Sequence, residues 1–440
     1  MTALFACATG LFYAHSAWAA LPIAQWRQAS GAQVNFVASP SIPMADVQID
    51  FDAGGRRDPQ AQAGLAEATA LMAGKGVQAE GDAPALDENA LGEAWADLGA
   101  SFGAQASDDR LSFSLRTLTE PDLLQRAARL AARQLGQPAF PADVWLRERD
   151  RISAALKEAD TRPATVAGRA YAQAVYGGHP YGYQMTGETL ARIGVDDMRA
   201  AYARGVLPCR AKVSIVGALT REQADALAAT LLSKLPQTAC APLPAVAEVP
   251  PLAQAQDIRI PFAAAQAQVL IGQPGFARSD PDYFALLVGN YILGGGGFVS
   301  RLTDEVREKR GLSYSVYSYF APGLHAGAFT VGLQTRPDQA DAAVRVAREV
   351  LARFVADGPT DAELRAARDN LVGGFALRID SNRKLLDNVA NMAWNGLPLD
   401  YLDSWTQQVQ KVTVADIRAA FARKLQPQKM VTVVVGGATP

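Results

Sequence analysis

Arg307 and Tyr314 stand seven residues apart, downstream of the four glycines Gly294, Gly295, Gly296 and Gly297. A guanidinium can donate to two peptide carbonyls at once, and a phenol can donate to an oxygen that is becoming negative. The chemistry open to such a pair is recognition of a polypeptide backbone. Spacing alone points elsewhere: Arg307 reads as a solvated helix residue, Tyr314 as a half-buried strand residue, and the glycines as a helix C-cap and flexible turn. No Gly-Lys-Ser/Thr follows the glycines, so phosphate binding has no support. There is also no Gly-x-Ser-x-Gly elbow, and no cysteine has an obvious base beside it in sequence.

The elements that must carry these residues repeat. Val47 to Gly55, a turn at Pro59 and a helical run from Leu65 to Lys75 are echoed by Val269 to Gly275, a turn at Pro281 and a helical run from Tyr283 to Leu293. Val47 maps onto Val269, and Pro59 onto Pro281. Alternating strands Ser101–Ser107 and Leu111–Thr117 correspond to Ser313–Phe320 and Ala326–Thr335, and each half closes on a Val/Ile-rich strand, Ala211–Leu219 and Met430–Gly436. Helical patterns cover Pro121–Leu135, Asp143–Glu158, Thr165–Val175, Pro337–Ala356 and Asp361–Arg378. Strands followed by runs of helices predict an α+β fold: two tandem α/β domains, each a mixed or antiparallel sheet with helices packed on one face. Between them, Leu235 to Ala255 holds Pro236, Pro242, Pro244, Pro250 and Pro251, a composition that suits neither helix nor strand. The reading is a first domain over 20–234, a linker over 235–256 and a second domain over 257–440.

The second half, from Leu293 through Ser300-Arg301-Leu302, Arg307-Glu308-Lys309 and Gly311-Leu312-Ser313-Tyr314-Ser315, resembles the pitrilysin/insulinase-type (inverzincin) metallopeptidases. The resemblance implies that Arg307 and Tyr314 grip substrate backbone beside the glycine turn, and that the two halves form a clamshell. It covers about 400 residues as two family domains. In the first half, active members carry His-x-x-Glu-His on one helix, where residues four apart share a face and hold one zinc ion while the Glu polarises its water. Placed by Gly64-Leu65-Ala66 and Gly74-Lys75-Gly76, those positions are Glu67, Ala70 and Leu71 here. The third ligand, seven residues after a Glu that matches Glu148, falls on Ala155, and Glu158 lies about a helical turn too far on. His179 and His325 are too distant in sequence to form a helical ligand pair; His179, in Gly178-His179-Pro180-Tyr181-Gly182, reads as a structural loop residue.

The resemblance is closest to the zinc-free subunits that pair with a zinc-bearing relative in bacterial periplasmic heterodimers. It implies a non-catalytic, substrate-binding subunit, with no metal of its own, zinc in the partner, and peptides as substrates. The competing reading is a structural, assembly or peptide-binding protein of the same fold with no role in proteolysis.

Composition limits the alternatives. A chain of 440 residues, 49% hydrophobic and 20% charged, is long enough for more than one core. Lys plus Arg number 42 against 44 acids without a long run of one sign, which argues against nucleic acid or an anionic membrane as partner. Leu4 to Trp18 is apolar and small, Ala17-Trp18-Ala19 fits a small-x-small cleavage site, and the first charged side chain is Arg27. Residues 1–19 therefore read as a signal peptide and the location as periplasmic; no Lys or Arg precedes the apolar run, so either the true start lies upstream or the segment is a short buried helix. The run is too short and Ala-rich to span a bilayer, and no other segment spans. Its removal would leave Cys209 and Cys240, a disulfide or two buried thiols.

Overall fold

The computed structural model describes residues 22–238 and 240–437, so the segment 1–19 read as a signal peptide lies outside the described residues. The first half contributes β1 (Ala24–Arg27), β2 (Gln33–Ala38), β3 (Met44–Phe51), a separate small ribbon of β4 (Gly76–Val77) and β5 (Leu86–Asp87), then β6 (Ser101–Ala106), β7 (Leu111–Leu118) and β8 (Lys212–Gly217). The second contributes β9 (Gln256–Ile260), β10 (Ala267–Phe276), β11 (Ser315–Phe320), β12 (Gly327–Thr335) and β13 (Val431–Val435).

The two large sheets share one topology. The first runs β1-β2-β8-β3-β7-β6 and the second β9-β13-β10-β12-β11. In each, one neighbouring pair is parallel, β2 with β8 and β9 with β13, and the rest are antiparallel. The register also repeats: Val47 lies between Leu115 and Ile215, and Val269 between Leu333 and Val434. Central strands β3 and β10 are buried almost throughout, which explains their lack of a clean polar alternation.

Each sheet packs its own helices on one face. Leu65–Met72, Pro121–Gly136 and Arg221–Leu232 enclose the first core, and Tyr283–Asn290, Ala340–Asp357 and Val414–Lys424 the second. The other face takes a helix from the opposite half, which the sequence did not announce. Helix Pro163–Tyr176 lies on β10 and β13, where Ala167, Tyr171 and Val175 meet Leu270, Val431, Val433 and Val435. The Tyr171 hydroxyl donates to Phe329 O at 2.8 Å and lies 2.9 Å from Thr330 Oγ1, while the Tyr176 hydroxyl accepts from Ala328 N at 2.8 Å. In return, helix Asn382–Asn395 lies on β3 and β8, and Lys212 Nζ donates at 2.9 Å to both Ala393 O and Trp394 O. The clamshell is therefore a fastened one, its halves joined by exchanged helices.

Among the described residues no helix or strand falls between Leu232 and Gln256. Cys209 and Cys240 are joined by a disulfide, with Cα atoms 6.3 Å apart, which ties this segment to the first half. Arg57 donates to Pro244 O a few residues further on. The helical pattern Asp361–Arg378 is broken: an α-helix ends at Gly373 and a 3-10 turn spans Phe375–Arg378, as expected where two glycines meet in mid-helix.

Candidate functional site

The glycine turn is shaped by what lies beneath it. Helix Tyr283–Asn290 passes into a wider π turn, Tyr291–Gly295, in which Gly296 N donates to Tyr291 O at 2.8 Å. Asn290 clamps this end to β11: its Nδ2 donates to Ser318 O at 3.1 Å and its Oδ1 accepts from Ser318 Oγ at 2.8 Å. Gly294 then crosses Ser318 so closely that a Cβ would stand 2.4 Å from Ser318 Oγ and 2.5 Å from Ser318 N. Only glycine permits this approach. Gly295 and Gly296 complete the turn, and Gly297 leaves it with φ +62, in the left-handed region.

Beyond the turn, Phe298 and Val299 are 73% and 78% exposed. Arg307 sits in a second π-wound segment, Thr303–Glu308. It is half-buried, its guanidinium lies 4.8 Å from the Phe298 ring centroid, and its Nε is 3.4 Å from Glu308 Oε1. Arg301, two residues before this segment, is used differently: it forks onto both oxygens of Glu363 at 2.6 and 2.7 Å and so has a structural role.

Tyr314 stands one residue before β11 and is 84% exposed, whereas spacing alone predicts a half-buried strand position. The alternation begins after it: Ser315, Tyr317 and Tyr319 face outward while Val316 and Ser318 face the core. A groove of about 570 Å³ brings together Gly294, Gly297, Phe298, Arg307, Tyr314 and Tyr317. β11 is the edge strand of its sheet, with one row of backbone donors and acceptors outside the sheet ladder. The groove can therefore offer an extended chain a guanidinium, a phenol and those edge groups of β11 that Asn290 and the glycine turn leave uncovered. Asn290, Ser318 and Phe298 are additions that the sequence reading missed; the Tyr317-Ser318-Tyr319 alternation was the signal that could have shown the outward face of β11.

The corresponding region of the first half is built from other residues. On helix Leu65–Met72, Glu67 is exposed, Ala70 is buried and Leu71 half-buried, while Ala155 is exposed on helix Ala142–Ala159. One carboxylate, two methyl groups and an isobutyl group do not fit a zinc ion, which takes imidazole, thiolate and carboxylate ligands. Among the described residues no group of three or more His, Cys, Asp and Glu is placed to hold a metal. Glu148 is buried under Lys75, Arg147 and Arg151 at 3.2, 3.3 and 2.8 Å. Burial alone would raise its pKa; hydrogen bonds from Arg151 and Lys75 bring it below the usual range. Glu158 pairs with Arg162 at 2.6 Å.

Glu67 is surrounded closely enough by protein for desolvation to raise its own pKa. Its charge also acts on its neighbours. The Asp58 carboxyl is pushed up to about 7, chiefly by burial with help from Glu67, although it accepts from Ala66 N and Gly64 N. Asp108 is pushed up to about 6 by burial and then by Asp109 and Glu67.

Residues 192–371 match the peptidase M16 inactive domain. Among curated proteins, the chain is 37% identical over 156 residues to the uncharacterized zinc protease SCO5738 of Streptomyces coelicolor, a match covering 35% of this chain and 33% of that protein. It is 26% identical over 390 residues to the non-peptidase homolog YmxG of Helicobacter pylori, covering 86% of this chain and 85% of the relative. The crystal structure of a peptidase M16 inactive domain from Pseudomonas fluorescens shares 33% identity and a TM-score of 0.89, with 95% of this chain and 98% of that one superposed. Resemblance in motif, sheet order and near-complete superposition agree: the chain belongs to the peptidase M16 family, as one of its inactive members.

Proposed function

We propose that this chain is the non-catalytic, substrate-binding subunit of an exported two-component zinc metallopeptidase, lending Arg307 and Tyr314 to peptides cut at the zinc of a homologous partner. The observation that carries this reading is the contrast between the two sites. The groove around Arg307 and Tyr314 is intact and open, whereas Glu67, Ala70, Leu71 and Ala155 supply no zinc site.

Each residue has a task suited to its chemistry. The glycine turn lets a substrate strand approach, the guanidinium takes carbonyls remote from the reacting bond, and the exposed phenol reaches the oxygen that becomes negative. The exposed Phe298 and Val299 at the tip of the turn suit burial against a second subunit. The Cys209–Cys240 disulfide supports a periplasmic location, since such bonds persist in oxidising compartments. No helix among the described residues is long and apolar enough to cross a membrane.

Titration of a zinc-bearing homologue from the same cell with this chain tests the proposal. Peptidase activity is expected to appear on mixing and to saturate at a fixed ratio. A homologue fully active alone and indifferent to this chain would overturn it in favour of an architectural role.

A further inference from the structure

A cavity in the first half shares no lining residue with the groove of Arg307 and Tyr314. It measures about 360 Å³, far more than close packing leaves between fitted side chains and within the range of small-molecule sites. Its walls come from separate pieces of the chain. Leu65 and Ala66 open helix Leu65–Met72, Leu111 begins β7, Tyr202 and Arg204 stand on helix Val195–Gly205, and residues 243–246 of the connecting segment form the roof.

The roof is tied down on both sides. Before it, the Cys209–Cys240 disulfide anchors the segment, and Arg57 donates to Pro244 O within the roof itself. After it, His179 Nε2 lies 2.9 Å from Ala247 O and His325 Nδ1 lies 3.0 Å from Glu248 Oε1, with the two imidazole rings 5.4 Å apart. Leu243 and Val246 are half-buried whereas Pro244 and Ala245 are exposed, so Leu243 and Val246 are the side chains that face inward.

The polar groups of the lining decide what can enter, and nearly all are already engaged. The Tyr202 hydroxyl donates to Leu135 O at 2.6 Å and the Thr69 hydroxyl to Leu65 O at 2.7 Å. Arg56 and Arg57 both bind Asp52, at 2.5 and 2.7 Å. Asp58 accepts from Gly64 N at 3.0 Å and from Ala66 N at 3.1 Å. Arg204 is the exception. It is exposed, and among the described residues its guanidinium has no hydrogen-bonding or ionic partner. An occupant must therefore be apolar along most of its length, and it gains a strong polar contact at one place, from a cation.

We propose that this cavity is a binding site for an aliphatic monocarboxylate, with its chain between Leu65, Leu111, Leu243 and Val246 and its carboxylate on Arg204. A guanidinium fork matches both oxygens of one carboxylate, and a single free cation suits a single negative charge. Two sources share this chemistry: a free fatty acid and the C-terminal apolar residue of a peptide. The lining favours the free acid, since a peptide brings amide groups for which no free partner remains.

This inference needs neither a partner subunit nor the Arg307–Tyr314 groove. It is tested by calorimetric titration of the full mature chain with octanoate, octanol and N-acetylleucine, following the methyl NMR signals of Leu65, Leu111, Leu243 and Val246 in parallel. Octanoate is expected to bind at one site, to shift these methyl signals, and to bind more tightly than octanol or N-acetylleucine. Arg204→Gln should weaken octanoate binding by about 10- to 100-fold, the loss of one charge-assisted contact, and leave octanol binding unchanged. Ala201→Leu, at another lining position of the same helix, should abolish binding of both by filling the cavity, with the melting temperature as the check on folding. The proposal is overturned by a wild-type chain with no saturable octanoate binding, by octanoate binding that either folded variant leaves unchanged, or by N-acetylleucine binding as tightly as octanoate.

Discussion

The two halves share a strand order and register but differ in the chemistry of the helix that follows their central strand. After β3, helix Leu65–Met72 carries one exposed carboxylate among Ala, Leu, Met and Thr side chains; after β10, helix Tyr283–Asn290 leads into a glycine turn fitted against Ser318. The difference teaches that scaffold and chemistry rest on separate residues. The cores are assembled around strand positions such as Val47, Leu115 and Ile215 in one half and Val269, Leu333 and Val434 in the other, none of which would touch a metal. A ligand set can disappear from the first half without disturbing its packing. The groove of the second half is different, because its glycines are themselves packing residues.

The largest expected effect separates the groove from mere architecture. In the reconstituted complex, Tyr314→Phe should lower kcat by about 100- to 1,000-fold if the phenol faces the developing oxyanion. Arg307→Ala should raise KM more than it lowers kcat, because carbonyls away from the reacting bond accept equally in ground and transition states. Steady-state kinetics on variants with unchanged melting temperature and assembly would show this, and wild-type constants for both would mark the pair as a structural junction.

Removing the disulfide by Cys209→Ser with Cys240→Ser should cost about 3–4 kcal/mol by the loop-entropy argument. Urea denaturation reads the loss. A smaller effect should distinguish the two post-strand helices. Gly294→Ala drives a methyl group into Ser318 and is expected to destabilise by about 1–3 kcal/mol, whereas Leu71→Ala, at a half-buried position of the vacated site, should cost less. Equal losses would contradict the view that only the second half's turn is closely fitted. Smaller still, Tyr171→Phe removes the hydroxyl shared with Phe329 O and Thr330 across the halves and should cost about 1 kcal/mol, measured in the same way.

The acidic neighbourhood of Glu67 adds a pH signature to the first half. Asp58 has a folded pKa of about 7 against a usual 3.8, so the folded state holds a proton that the unfolded chain has lost. Its contribution to stability is therefore greatest below the unfolded value and declines as pH rises towards 7. Asp58→Asn should flatten this slope in denaturation midpoints taken across the interval.

The tandem repeat was readable because Val47 and Val269 begin matching strand, turn and helix patterns, although burial on both faces removes the polar alternation from β3 and β10. The missing zinc ligands were equally plain at Glu67, Ala70 and Leu71, since metal chemistry depends on residue type. Other features lacked a local signal. Helix Pro163–Tyr176 has an ordinary amphipathic pattern, and nothing in it says that its apolar side meets the other half's sheet. Strands β1 and β2 were overlooked because four to six residues provide little periodicity. The exposure of Tyr314 depends on where β11 begins, and a shift of one residue decides whether the ring faces the core or the groove. His179 and His325 are brought together by a fold whose partners are 146 positions apart in the chain, a distance that no motif spans.

The most direct measurement of the central claim is elemental analysis of the purified mature chain, combined with a peptidase assay of that chain alone. The account predicts no stoichiometric zinc and no cleavage, because Glu67, Leu71 and Ala155 cannot replace two imidazoles and a carboxylate. One tightly held zinc ion per chain, lost together with activity on chelation, would contradict it.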